Sequence, residues 1–154
     1  MTNPKQMKKG KFQDVVTVFL TLGGKVLLLK RSGKVGTYKG HWAGVSGYLE
    51  SIDPLKQAYE EIIEEVGLGK EDISLVKMGE PLEVFDPVQQ HAWRVHPFLF
   101  VVHNPDKIRL DWENLEMRWI LPEEIVQFHT VPALKEVLER VLSDWGNSGI
   151  LTPE

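Results

Sequence analysis

Cysteine is absent from the 154 residues. That excludes disulfides, cysteine-ligated zinc, iron–sulfur clusters and a thiol nucleophile. No apolar run approaches the roughly 18 residues that a membrane-spanning helix needs. Strong net charge is missing as well. Lys and Arg number 18 against 22 Asp and Glu, a formal −4, which gives no reason to expect nucleic acid as a partner. With 42% hydrophobic and 26% charged residues, 13 Gly and 9 Pro, the composition is that of a globular domain, not of a collagen-like or disordered chain. The opening, Met1 to Lys11, is basic and polar and leads into no signal-type apolar stretch. The expectation is a soluble, cytoplasmic protein without a membrane partner. Its length suits one domain over residues 12–145, between a basic tail at 1–11 and a loose tail at 146–154.

One absence is local. No Asp or Glu lies between Asp14 and Glu50, a stretch that holds Lys25, Lys30, Arg31, Lys34 and Lys39. Immediately afterwards come Glu60, Glu61, Glu64 and Glu65. A basic segment followed by an acidic helix suits a site that handles both phosphate and metal, although two solvated faces would look the same.

The elements are readable from periodicity. Val15 to Leu22 and Val26 to Leu29 are apolar runs around Gly23-Gly24, which predicts a β-hairpin. Ser32 to His41 reads as a loop and Ala43 to Leu49 as an extended segment. Asp53-Pro54 then opens a helix, Asp as N-cap and Pro in the first turn. Leu55, Ala58, Tyr59, Ile62, Ile63 and Val66 recur at helical spacing and predict its buried face. Gly67 supplies the expected stop. Ile73 to Phe85 and Ala92 to Val102 read as strands joined by a turn over Asp86 to Gln90. Met117 to Ile120 is a short strand and Pro122 to Ile125 a helical turn. A last helix is expected from Thr130, with Pro132 in its first turn and a stripe of Val131, Leu134, Val137, Leu138, Val141 and Leu142. Strands, helix, strands, helix predict an α+β domain: a mixed sheet with helices on its faces.

On a helical wheel of about 100° per residue with Glu61 at zero, Glu64 falls near −60° and Glu65 near +40°, beside an apolar face centred near +130°. Like charges three and four residues apart destabilise a helix by a few tenths of a kcal/mol per pair, so something should offset them. Carboxylates clustered without cysteine suit Mg²⁺ or Mn²⁺. A solvated acidic face is the alternative, and the flanking residues bear on the choice.

From Gly47 onward the sequence resembles the Nudix box, G-x5-E-x7-R-E-U-x-E-E-x-G-U, with U aliphatic. The half Glu61-Ile62-Ile63-Glu64-Glu65-Val66-Gly67-Leu68 matches at every defined position. The lead-in Trp42-Ala-Gly-Val-Ser-Gly47 and the later Trp119-Ile-Leu-Pro-Glu-Glu-Ile125 are similar to outer segments of the family, so the resemblance spans about Val15 to Leu142. Two positions depart from it. Glu60 stands where the box has Arg. The first acidic position is Asp53 when counted from Gly47, but Ile52, with Ser46 at the Gly, when counted back from Glu61. In the family these two residues mainly support the catalytic carboxylates.

The resemblance implies an α/β/α sandwich with a mixed β-sheet between helices. It also implies Mg²⁺- or Mn²⁺-dependent hydrolysis of a diphosphate linkage in a nucleoside diphosphate derivative. Glu61, Glu64 and Glu65 would hold metal, with the backbone carbonyl near Gly47 as an extra ligand. The general base would be Glu64, Glu65 or a later loop glutamate, Glu113 or Glu116. Lys30, Arg31 and Lys39 are candidates to hold phosphate oxygens. Trp42, Phe85 and Trp93 could stack on a base, although core is the default for large aromatics. The scattered His41, His91, His96, His103 and His129 read as structural or exposed. No nucleophile-elbow pattern supports a serine hydrolase. A small-molecule nucleotide is the expected partner, and a homodimer is left open. The alternative, motivated by Glu60 in the Arg position and by the altered first half of the box, is a nucleotide-binding or regulatory domain with weak or no catalysis.

Overall fold

The computed structural model describes residues 12–142; the two expected tails, 1–11 and 146–154, lie outside them. Among these residues the apolar runs form one eight-stranded mixed sheet. The strands are β1 (Gln13–Leu22), β2 (Lys25–Arg31), β3 (Trp42–Ala43), β4 (Val45–Tyr48), β5 (Ile73–Met78), β6 (Leu82–Asp86), β7 (His91–Val102) and β8 (Asn114–Ile120). The central path runs β3-β2-β1-β7-β5, with β4 also on β1, β6 also on β7 and β8 also on β2. β1 and β7 pair in parallel from Gln13↔Trp93 to Thr21↔Val101. Parallel neighbours need a long crossover connection, and helix α1 (Pro54–Val66) lies within it.

The alternation of β1 decides the two cores. Val16, Val18 and Leu20 pack with Ala58 and Ile62 of α1 and with Phe98 and Phe100. Phe19 faces the other way, towards Leu134, Val137 and Leu138 of helix α2 (Leu134–Leu142), with Leu28 and Leu99 beside it. Burial on both faces explains why β1 and β2 read as continuous apolar runs instead of alternating ones. No helix among the described residues is long and apolar enough to cross a membrane.

The ends of α1 form as its sequence predicts. Asp53 Oδ1 accepts the N–H groups of Leu55 (3.1 Å) and Lys56 (3.4 Å). Gly67 closes the helix at φ 76° and donates its N–H to Ile63 O at 3.0 Å.

Three expectations change. First, the buried face of α1 is rotated. Ile63 is 53% exposed, while Gln57, Glu61 and Glu65 are buried. The buried arc is centred near +50° on the wheel, about 80° from the apolar centre, because α1 lies against β4 as well as against the sheet's apolar face. Second, α2 begins at Leu134, not Thr130. Thr130 bridges Trp42 in parallel, with Trp42 N–H on His129 O and Val131 N–H on Trp42 O, both 2.9 Å; these backbone groups are thereby taken from the helix. Third, the run Ile73 to Phe85 is two strands. At Gly79 the chain passes so close to Arg140 O that an added Cβ would lie 2.8 Å away, and β5 and β6 pair with successive parts of β7.

Candidate active site

On its side away from β7, β1 is shared between two neighbours. It pairs with β2 only at Thr21 and Leu22, and with β4 over Val15 to Val18. β2 and β4 therefore diverge like the prongs of a fork. A cavity of about 710 Å³ opens there, with Arg31 at the end of β2 and Ser46, Gly47 and Tyr48 of β4 in its wall. Glu61 and Glu64 of α1 line one side and Asp111, Trp112 and Glu113 of the loop before β8 another. The remainder is apolar and aromatic, including Val84, Trp93, Val95 and Leu134. Tyr38 also lines the cavity, and its hydroxyl donates to Asp86, tying the 32–41 loop to the end of β6.

The carboxylates are held by neutral donors. Glu61 Oε2 accepts from Gln57 Nε2 at 2.9 Å. Glu65, 4% exposed, accepts the Ser46 N–H on Oε2 (3.1 Å) and Asn114 Nδ2 on Oε1 (3.2 Å). Glu64 is exposed on the cavity side. Gly47 abuts Glu61 so closely that a Cβ built on it would fall within the carboxylate.

Burial pushes the Glu61 carboxyl up to about 7, with the charge of Glu64 adding to it and the Gln57 hydrogen bond opposing. Glu65 is raised well above the usual carboxylate range, by burial first and then by the charge of Glu113. Glu113 is raised by burial and by Asp111, against the nearby Arg31. Among the described residues no Lys or Arg forms an ion pair with Glu61, Glu64 or Glu65. Two buried acids without a cationic partner are costly when ionised, and a hard divalent cation is the chemistry that relieves them. Among the described residues no group of three acidic or imidazole side chains is close enough to hold a metal ion by itself. An open set fits Mg²⁺, which keeps several waters and takes one or two carboxylates plus substrate phosphate.

A pH effect follows. The unfolded chain releases the Glu61 proton near 4.5, whereas the folded chain keeps it up to about 7. Over that window the native state binds the extra proton, so stability falls as pH rises. Without divalent metal the melting temperature should be lower at pH 8 than at pH 5, and Mg²⁺ or Mn²⁺ should raise it more at pH 8. Calorimetry with and without chelator checks this; a metal-free melting temperature that rises from pH 5 to 8 would contradict it.

The positions named from sequence separate in space. Glu61, Glu64, Gly47 and Arg31 line the cavity, and Glu65 sits behind it. Arg31 is oriented by two bonds to Thr37 O, from Nε (3.0 Å) and Nη2 (2.9 Å). Lys30 instead faces Glu116 across β2 and β8, Nζ to Oε1 4.0 Å, and Glu116 also meets Arg118. Neither Lys30 nor Glu116 lines the cavity, and Lys39 is exposed on its loop outside it. Trp42 is buried in the α2-side core against Phe128, ring centroids 5.3 Å apart, under Arg118. Of the aromatics considered for stacking, Trp93 lines the cavity, while Trp42 and Phe85 do not. Gln57, Tyr38, Asp111, Trp112 and Asn114 join the site without a sequence motif that marks them. Gln57 was findable, one turn before Glu61; Asn114 was not, because only the pairing of β8 with β2 brings it to Glu65.

A family model described as NUDIX domain matches residues 11–141. A Caenorhabditis elegans Ap4A hydrolase, solved as a binary complex, superposes with a TM-score of 0.69 at 20% identity, covering 88% of this chain and 98% of that one. A MutT protein from Methanosarcina mazei gives 0.69 at 23%, covering 86% and 94%. The NUDIX domain of Shewanella oneidensis NrtR, complexed with ADP ribose, gives 0.67 at 13%, covering 90% of each. At these identities the structural likeness establishes the fold. No curated protein matches the chain in sequence.

Proposed function

This chain belongs to the Nudix family, whose hydrolases act on diphosphate linkages, and we propose that it cleaves a nucleoside diphosphate derivative with Mg²⁺ or Mn²⁺ as cofactor. The observation that carries this reading is the pair of buried, cation-free carboxylates, Glu61 and Glu65, beside a cavity that Glu64 enters. A divalent cation bound there would neutralise the diphosphate and activate the attacking water. Glu61, Glu64 and Glu65 would hold it. Arg31, already oriented by Thr37, would grip a phosphate oxygen; it is the residue of the three basic candidates that lines the cavity. Glu113 and Glu64 are the base candidates, since both face the cavity and Glu116 is engaged by Lys30 and Arg118. The Trp93 and Tyr38 rings, centroids 6.0 Å apart, offer apolar surface to a base or sugar.

The binding-only reading rests on the altered first half of the box and on Glu60. That residue is exposed on α1, so its charge need not displace the buried ligands, and the hydrolase reading is preferred. The test is a nucleotide panel with Mg²⁺ or Mn²⁺ and identification of products. The expected result is release of a mononucleotide or phosphate from at least one member. Glu64→Gln should lower kcat by about 10²-fold or more, as loss of an acid–base or ligand group does, with little change in melting temperature. Calorimetric nucleotide binding without turnover would favour the regulatory alternative.

A further inference from the structure

We propose that Gln57 is the positioning residue for Glu61. Its kinetic consequence rests on the hydrolase reading; its effect on metal binding does not. Gln57 is 2% exposed and lies one helical turn before Glu61. Its Oε1 accepts the Glu50 N–H at 3.0 Å. Turning the amide over would bring its NH₂ against that N–H and leave a donor unsatisfied, so Nε2 is committed to Glu61 Oε2 at 2.9 Å. One side chain thereby joins the segment after β4, the body of α1 and the carboxylate. On another side Gly47 leaves no room between β4 and the same carboxylate. Glu61 is thus clamped with one oxygen engaged by a donor.

The clamp is neutral, and that matters to the ligand. A lysine or arginine in this place would hold the carboxylate equally well but would cancel the charge that attracts a cation. An amide fixes the direction and leaves the charge in place. The two box positions that depart from the family pattern offer no such support: Glu60 is exposed, and so are both Ile52 and Asp53 at the first acidic position. Gln57 supplies from inside the helix–strand interface what those positions do not.

Groups that orient metal ligands typically change metal affinity or activity 10- to 100-fold when removed. The test compares the wild type with Gln57→Met, which keeps the volume and removes both polar contacts, and Gln57→Ala. Mn²⁺ alone is titrated and read by electron paramagnetic resonance; kcat and KM are then measured on whichever nucleotide is turned over. Both variants should bind Mn²⁺ 10- to 100-fold more weakly and lose a similar factor in kcat, with nucleotide KM within about threefold of wild type. A purely structural Gln57 would lower the melting temperature while leaving Mn²⁺ affinity and kcat unchanged, and that result overturns the proposal. Should Gln57→Met fail to fold, the smaller Gln57→Ala decides on the same readouts. Wild type that binds Mn²⁺ but hydrolyses nothing overturns the hydrolase reading, and the Mn²⁺ comparison still judges Gln57.

Discussion

Glu65→Gln should lower kcat by about a thousandfold, roughly 4 kcal/mol of transition-state stabilisation, and at the same time raise the melting temperature of the metal-free protein at pH 8. The two effects share one cause. Glu65 is buried, and burial and the Glu113 charge both oppose its ionisation. In the absence of a cation the folded protein carries that cost, and a neutral isostere removes it. Gln fits the same hydrogen bonds: its carbonyl can take the Ser46 N–H, and its NH₂ can donate to Asn114 once the Asn amide is turned. Each kcal/mol gained is worth about 2–4 °C in a protein of this size. Steady-state kinetics at saturating Mg²⁺ and calorimetry in chelator are the two measurements. Turnover within tenfold of wild type, or a lower metal-free melting temperature, would refute the assignment.

Gly47→Ala should leave a folded protein that has lost about 10²-fold or more in kcat. Gly47 is not among the residues with positive φ, so its backbone accepts alanine. What is missing is space: the new methyl would occupy the position of the Glu61 carboxylate. That carboxylate is the far end of a flexible side chain and can swing away at modest cost to the fold. Swinging away breaks its bond to Gln57 and removes it from the cavity wall. Displacements of about 1 Å at a reacting centre can cost two orders of magnitude. The crucial comparison is thermal stability against turnover. Loss of both would make Gly47 a packing residue, and retention of both would show that Glu61 tolerates a different pose. The same substitution at Ser46, which already has a side chain, would not create this clash.

Gly47 also bears on an ambiguity that counting leaves open. The box could be aligned from Gly47 or back from Glu61, with Ser46 then in the glycine position. The structure puts Gly47 against Glu61 and the Ser46 N–H on Glu65. With Gly47 taken as the glycine of the box, the one-residue difference lies in the turn between β4 and Asp53. A turn absorbs such a change because its backbone is not locked into a register, whereas a strand would flip every side chain to the other face.

The local features of this chain were written in its sequence: the cap at Asp53, the stop at Gly67, the i, i+3, i+4 glutamates and the apolar runs of β1 and β2. Each depends on spacing within one or two turns or along one strand, where geometry is set by the backbone itself. The family resemblance rested on the same short-range pattern. What only the tertiary structure decided is which of the equivalent-looking charges meet. Lys30 and Arg31 are adjacent, yet alternation on β2 sends one to Glu116 and leaves the other at the cavity. Glu113 and Glu116 are three residues apart, yet only the first lies in the loop that reaches the site. Trp42, close in sequence to Gly47 and the glutamate helix, is drawn into the α2-side core by its bridge to Thr130. Asn114 reaches Glu65 across 49 residues. Composition and periodicity place a residue on a face of its own element. Which neighbour that face meets depends on strand order and register, and these are settled by burial of both sheet faces over the whole domain.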